Sequence, residues 1–328
     1  MTPLVEIRDL TVHFDGTRVL HGIDLKVGRG EALGLVGESG SGKSVTWLAA
    51  LGLLPGKARV AGSVRLEGRE ILGAPARDLD RIRGGRIAMI FQDPASALNP
   101  VLTIRRQLGE ALALHRGLSG AAIRAEAKRL LDLVGIPDAE RRLSAYPHEF
   151  SGGQNQRVMI AMALAGEPDL LVADEPTTAL DVTIQAQILD LVLDIRRETG
   201  MALVLISHDL GVIAECCDRV AVMYAGRVIE EAPARLLFED PAHPYSRGLL
   251  GALPPLAGPR RKLLAIPGTV PDPKSLPGGC AFAPRCLHAA PGCEVRPPAL
   301  EPVGEERRMA CILAVHRHQA VVRELVEA

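Results

Sequence analysis

The sequence predicts an α/β fold. A mainly parallel sheet covered by helices is preceded by a small antiparallel β segment, interrupted by a helical insert and followed by an irregular extension. Three observations predict it. The apolar run Ala32–Val36 leads through a Gly/Ser-rich loop, residues 37–44, into a helical stretch at residues 45–54. Two further apolar strands, residues 170–174 and 202–207, alternate with helical stretches, the pattern of parallel strands joined by crossover helices. From Leu253 the composition shifts to Pro and Gly with little periodicity, which marks irregular structure.

Taken in order, residues 4–14 and 19–27 alternate around Asp15-Gly16 and predict two strands joined by a turn. Residues 64–68 predict a short strand and turn, and residues 86–91 a strand closing on Gln92. Between residues 103 and 134 the apolar positions take the helical period, with Leu108, Ala111 and Leu112, then Ala127, Leu130, Leu131 and Val134. Residues 117–120 divide that stretch into two helices. A helix follows Ser151 towards Ala165, and another covers residues 182–198. The expected organisation is a domain over residues 1–250, with a helical subdomain at about 93–150, and a C-terminal extension over residues 251–328.

The chain has 328 residues, enough for one large or two modest domains with a hydrophobic core. Its formal net charge of −1 carries no nucleic-acid footprint. Mean hydropathy is slightly positive, yet no apolar run approaches the ~20 residues of a membrane-spanning helix. The first residues lack a basic and then apolar leader. A cytosolic protein is expected, or one held at a membrane through partners. Cys216 and Cys217 lie in an apolar helical context as core residues, whereas Cys280, Cys286, Cys293 and Cys311 all fall near the C-terminal end.

The loop Gly37-Glu38-Ser39-Gly40-Ser41-Gly42-Lys43-Ser44 fits G-x-x-x-x-G-K-[ST], a phosphate-binding loop. Its glycines let backbone N–H groups turn onto phosphates, and the following helix N-terminus adds a favourable dipole. Lys43 is placed to reach the β- and γ-phosphates, and the Ser44 hydroxyl to ligate Mg²⁺. A plain Gly/Ser turn is the alternative; the strand–loop–helix context argues against it. Leu170-Leu171-Val172-Ala173-Asp174-Glu175 is the second element. Asp174 at the strand end can hold the Mg²⁺ shell, and Glu175 can polarise a water for in-line attack. In Phe150-Ser151-Gly152-Gly153-Gln154, Ser151 can cap the coming helix while the glycines allow backbone approach to phosphate.

The order of phosphate loop, Gln92, Ser-Gly-Gly-Gln, Asp-Glu, Leu180-Asp181 and Ser207-His208-Asp209 resembles the ATP-binding-cassette (ABC) ATPases from residue 4 to about 250. The resemblance implies that Phe14 stacks on adenine and that Gln92 senses Mg²⁺ and the attacking water. It implies that Ser151, Gly152, Gly153 and Gln154 contact the γ-phosphate held by an opposite subunit. Leu180 and Asp181 would communicate across that dimer, and His208 would hydrogen-bond the γ-phosphate. Glu175 makes this half-site hydrolytically competent. Asn155 departs from the basic residue or glutamine common in the family, which bears on the signature-helix contacts.

Three features resemble the oligopeptide/dipeptide importer branch: the loop itself with Phe91-Gln92-Asp93-Pro94 and Leu98-Asn99-Pro100; His243-Pro244-Tyr245-Ser246 with Leu249-Leu250; and Ile266-Pro267-Gly268 followed by the cysteines. Nickel-importing relatives share this core. Cys280, Cys286, Cys293 and Cys311 do not have compact zinc-finger spacing. The resemblance implies a [4Fe–4S] cluster there, with zinc, four reduced thiols or an incidental disulfide as alternatives, the last disfavoured by a cytosolic location. Arg285, beside Cys286, is placed to balance a cluster's negative charge. The implied function is ATP hydrolysis that energises peptide import. The implied partners are two membrane-spanning permease subunits, a second, homologous ABC ATPase and, indirectly, an extracytoplasmic substrate-binding protein. The implied location is the cytoplasmic face of the inner membrane, as a peripheral subunit. The rival class is a soluble cassette protein of ribosomes or DNA; the single motif set, the short helical insert and the near-neutral charge argue against it.

Overall fold

The computed structural model describes residues 2–92, 97–177, 181–252 and 266–313. Asp93, Pro94 and Leu180 of the motifs above lie outside the described residues. Among those residues the strands are β1 (Val5–Phe14), β2 (Thr17–Val27), β3 (Ala32–Val36), β4 (Ala58–Leu66), β5 (Arg69–Glu70), β6 (Ile87–Ile90), β7 (Leu170–Asp174), β8 (Ala202–Ile206), β9 (Arg219–Tyr224), β10 (Arg227–Pro233), β11 (Glu301–Pro302) and β12 (Arg308–Met309). The chain forms two compact units. One comprises Met1–Val5, Val27–Ala32 and Leu66–Ser207, the other Glu6–Lys26, Leu33–Arg65 and His208–Ala328.

In the first unit β6, β7 and β8 are parallel, with Ile90 opposite Ala173 and Asp174 opposite Ile206. Every residue of β7 and β8 is buried. That is why these strands read as unbroken apolar runs rather than alternating ones: both faces of a parallel sheet are covered. The helical insert is present as the helices Ile104–Arg116 and Gly120–Leu133. Thr103 caps the first by accepting from the Arg106 N–H, and Gly117 ends it. Their apolar stripes, Ile104, Leu108 and Leu112 against Ala127, Leu130 and Leu131, are almost fully buried. The helix Gly152–Leu164 packs on both. The break falls at residues 117–119, with Gly120 already inside the second helix.

In the second unit a two-residue connection joins β1 to β2, so the pair runs antiparallel, and β4 pairs the other edge of β1. β3 is parallel to β9, with Leu35 opposite Ala221. β10 folds back antiparallel on β9 through Ala225-Gly226. Among the described residues of the C-terminal extension the helical elements after Gly251 are three short 3₁₀ turns, Pro273–Ser275, Ala283–Arg285 and Pro291–Glu294, in keeping with its Pro/Gly content. Its strand β12 nevertheless pairs with β10, Met309 opposite Glu230, and β11 pairs with β12. The expected core positions Cys216 and Cys217 are buried, and Cys217 Sγ lies where a side chain on Gly34 of β3 would intrude. Several bounds differ by one or two residues from those expected, and two differ by more. The helix after the phosphate loop covers Lys43–Ala50 rather than residues 45–54, and β4 begins at Ala58 rather than at residue 64.

Candidate active site

The phosphate loop is built in the second unit on the buried end of β3. Gly37 has φ +147°, and a Cβ there would stand 2.2 Å from the Met223 carbonyl oxygen of β9. Gly42, at φ +101°, occupies the N-cap position of the helix Lys43–Ala50, and a Cβ there would meet Leu20 Cδ2 at 2.6 Å. Glycine is required at both by conformation and by space. The buried Ser41 donates its N–H to the Glu38 carbonyl at 3.2 Å and accepts from the Gly226 N–H at 2.9 Å. Lys43 is only 7% exposed, and its Nζ donates to the carbonyls of Gly37 at 2.8 Å and Glu38 at 3.1 Å. The fold thus fixes the ammonium over the loop, at the positive end of the helix, where an anion is favoured. Ser44 is half-buried in the first turn, and Phe14 stands half-buried at the end of β1.

Glu38 is tied to the C-terminal part of the same unit. Its N–H donates to the Tyr245 hydroxyl at 2.8 Å. Its carboxylate takes both arms of Arg285, at 2.6 and 2.9 Å. Arg285 therefore does not balance charge at Cys286, as its sequence position suggests; the guanidinium is turned onto Glu38 instead. His208 is exposed at the start of this unit's last segment. Asp209 beside it caps the helix Leu210–Cys216, accepting from the N–H groups of Gly211 and Val212.

In the first unit Asp174 ends β7 and is 8% exposed. Glu175 follows at φ +49°, its N–H bound to the Ile206 carbonyl at 2.9 Å. Gln92 Nε2 donates to Glu175 Oε2 at 2.9 Å, so the structure brings these two site residues together. A left-handed backbone at a non-glycine residue costs on the order of 1–3 kcal/mol and persists only where the surroundings impose it. Here the Ile206 carbonyl does so, aiming the side chain off the strand end.

Ser151 caps the helix Gly152–Leu164, as its sequence position suggests. Its Oγ accepts from the Gln154 N–H at 3.3 Å, and Gln154 Oε1 accepts from the Ser151 N–H at 3.1 Å. This reciprocal capping box leaves Gly152 exposed at the helix start. Gly153 lies against Ile184, where a Cβ would come within 2.9 Å. Asn155 donates to the Pro147 carbonyl at 3.0 Å, securing the turn before the motif. Asp181 caps the helix Val182–Thr199 through the Ile184 N–H.

None of the described cysteines is in a disulfide. Burial raises the Cys280 thiol, and the nearby Cys311 and Cys293 raise it further, while N–H groups of Phe282 and Ala283 oppose the shift. Burial likewise raises Cys286, which accepts from the His288 N–H at 3.4 Å. Cys293 Sγ accepts from the Ala290 N–H at 3.5 Å. Among the described residues no group of three or more His, Cys, Asp or Glu is arranged to hold a metal ion. The cluster expected at these cysteines therefore has sulfurs with N–H donors, but no ligand set already in place.

A loop of this geometry in one unit, and in the other a carboxylate on a left-handed backbone at a strand end, are each equipment of a nucleotide hydrolase. Residues 20–178 match the ABC transporter family, and residues 229–293 match the oligopeptide/dipeptide transporter C-terminal region. The chain is 50% identical over 316 residues to the oligopeptide transport ATP-binding protein OppD of Salmonella typhimurium, covering 95% of this chain and 94% of that one. It is 49% identical to Escherichia coli OppD over the same shares. Among solved structures, a dimeric ATP-binding cassette in a post-hydrolysis state with ADP and Pi is 29% identical. It covers 70% of this chain and 99% of that one, with a TM-score of 0.62. CbiO1 of Clostridium perfringens, part of an ABC transporter complex, is also 29% identical, covers 73% and 92% of the two chains, and gives 0.64. The chain belongs to the ATP-binding-cassette ATPases, in the branch that carries the oligopeptide/dipeptide transporter C-terminal region. Its activity is ATP hydrolysis, with Mg²⁺ as the ion of that chemistry. Among the described residues no helix is long and apolar enough to cross a membrane.

Of the residues the sequence singles out, Gln92 and Glu175 are hydrogen-bonded to each other, Asp174 ends β7, and Ser151 caps its helix. Sequence reading did not find the Glu38–Arg285 pair. The residue's place beside Cys286 pointed elsewhere, and no periodicity links positions 247 residues apart.

Proposed function

We propose that this chain is the ATP-hydrolysing subunit that energises import of di- and oligopeptides, attached at the cytoplasmic face of the membrane through two membrane-spanning permease subunits. The observation that carries the reading is the joint presence, in one chain, of a cassette site and the oligopeptide/dipeptide transporter C-terminal region. Residues 1–250 form the cassette and residues 251–328 the extension. The second cassette is a homologous chain, and an extracytoplasmic binding protein delivers the peptide.

In this reading Lys43 and the N–H groups of Gly37–Ser44 hold the β- and γ-phosphates, while Phe14 meets adenine. Ser44, Asp174 and Gln92 would offer hydroxyl, carboxylate and amide oxygens, the donors a hard divalent cation takes, to a Mg²⁺ that would supply neutralisation of phosphate charge. Glu175 accepts the proton of the attacking water, and Gln92 orients that carboxylate. His208 hydrogen-bonds the γ-phosphate. Ser151–Gln154 and Asp181 serve the nucleotide held by the opposite cassette. ATP closes the pair because the closed state makes contacts that the open one lacks, and that difference drives the permeases.

The four cysteines are proposed to hold a [4Fe–4S] cluster. What supports that reading is the set of four cysteines in the part of the chain that follows the cassette, within or near the oligopeptide/dipeptide transporter C-terminal region.

The test is purification of the tagged chain from its native membranes in mild detergent, with mass spectrometry of the proteins that accompany it. Two multi-spanning subunits and a second cassette ATPase support the reading. Recovery only in the soluble fraction, alone or with ribosomes, overturns the transport role while leaving the ATPase.

A further inference from the structure

Arg285 lies in the C-terminal extension, yet its guanidinium is spent on the phosphate loop. Its side chain is 6% exposed and that of Glu38 29%. Nη1 and Nη2 donate to the two carboxylate oxygens of Glu38, the bidentate geometry that guanidinium and carboxylate planes favour. Two further N–H groups are also taken: Nε donates to the Pro267 carbonyl at 2.7 Å and Nη1 to the Tyr224 hydroxyl at 3.2 Å. Tyr224, Tyr245 and Phe282 form the wall behind it, with ring centroids 4.7–5.3 Å apart. Tyr245 meanwhile accepts the Glu38 N–H. Both the backbone and the side chain of one loop residue are thus gripped by later parts of the chain.

The position of Glu38 gives this pair a consequence beyond docking the extension. A polyphosphate carries several negative charges, and Glu38 sets a carboxylate directly after Gly37 in the loop that must receive them. Like charges several ångströms apart near a protein surface repel appreciably.

We propose that Arg285 is a positioning residue for the phosphate loop, neutralising Glu38 so that the loop presents its N–H groups and Lys43 to a nucleotide polyphosphate without an opposing carboxylate. The inference rests on the reading of residues 37–44 as the phosphate loop. In this account the extension contributes to nucleotide affinity through charge, and the penalty for losing Arg285 grows with the number of phosphates.

The experiment compares ATP and ADP affinities of the full-length chain with those of Arg285→Gln, of Arg285→Gln/Glu38→Gln and of Lys43→Ala. Arg285→Gln is expected to weaken ATP binding about tenfold and ADP binding less. Adding Glu38→Gln is expected to bring ATP affinity back to within about threefold of wild type, because the uncompensated charge is then gone. Unchanged affinity in Arg285→Gln overturns the proposal. So does a loss that Glu38→Gln fails to repair, or one equal for ATP and ADP; either describes a merely structural contact. Should Arg285→Gln not fold, Arg285→Lys decides. ATP affinity within about threefold of wild type supports a charge-based role, and a tenfold loss overturns it. Wild-type ATP binding that Lys43→Ala leaves intact removes the phosphate-loop reading itself, a separate failure.

Discussion

Gln92 and Glu175 are joined side chain to side chain: the Gln92 amide donates to Glu175 Oε2 at 2.9 Å, with Glu175 held at φ +49° just past β7. The bond holds the Glu175 carboxylate through Oε2. Replacing Glu175 by Gln preserves size and an acceptor for Gln92 while removing the base. Steady-state hydrolysis by Glu175→Gln is expected to fall at least ~100-fold, the low end for a general base, with ATP affinity within about threefold. Equal losses in affinity and turnover would point to a structural role.

Gly37 provides a prediction of stability. A methyl group at this position would approach the Met223 carbonyl to 2.2 Å, on a backbone that L-residues avoid. Gly37→Ala is expected to lower unfolding free energy by about 2–4 kcal/mol in urea denaturation. Gly40→Ala, at φ +77° but with nothing within 4 Å of its Cβ, is expected to cost about 1 kcal/mol. A smaller loss for Gly37→Ala than for Gly40→Ala would mean that the close packing of β3 on β9 is not what fixes the loop.

His243 predicts a pH dependence. It is 1% exposed, its Nδ1 accepts the Tyr245 N–H at 3.0 Å, and burial pushes it down to about 4 against an opposing bond to the Ala310 backbone. An unfolded histidine titrates near 6.5. Between those values the unfolded chain binds a proton that the folded chain does not, so stability falls as pH falls from about 6.5 to about 4, by up to about 3 kcal/mol. Above that window the contribution is complete. His243→Asn keeps a side-chain acceptor for the helix N-terminus, and melting curves at several pH values are expected to show a shallower slope across the window. An unchanged slope would assign the dependence to other groups.

The cysteines separate two outcomes. Protein purified without oxygen is expected to carry iron and acid-labile sulfide near four of each per chain, as a [4Fe–4S] cluster requires, and Cys286→Ser to lose most of both. Iron-free wild type and variant alike would leave four reduced thiols.

What could be read from the sequence follows from what is local. β3, β7 and β8 are buried throughout, so they are apolar runs, broken only by Asp174 at the end of β7, and the loop after β3 is a contiguous motif. Ser151 and Gln154 cap one helix from positions three residues apart, which a linear reading can see. Glu38 and Arg285 are far apart in sequence, and the link depends on β9 and the helix Pro244–Gly251 placing Tyr224 and Tyr245 behind the loop. The strained backbone of Glu175 is likewise imposed by Ile206 of β8 rather than by its neighbours in sequence. The helix following Gly42 ends at Ala50 although the apolar run continues to Leu54, because Leu51 and Gly52 turn out of it.

If hydrolysis at Glu175 energises peptide import, cells whose own gene carries Glu175→Gln lose uptake of a radiolabelled oligopeptide while an immunoblot shows the variant at unchanged abundance. Uptake equal to that of the wild type would mean that import does not draw on hydrolysis at this residue.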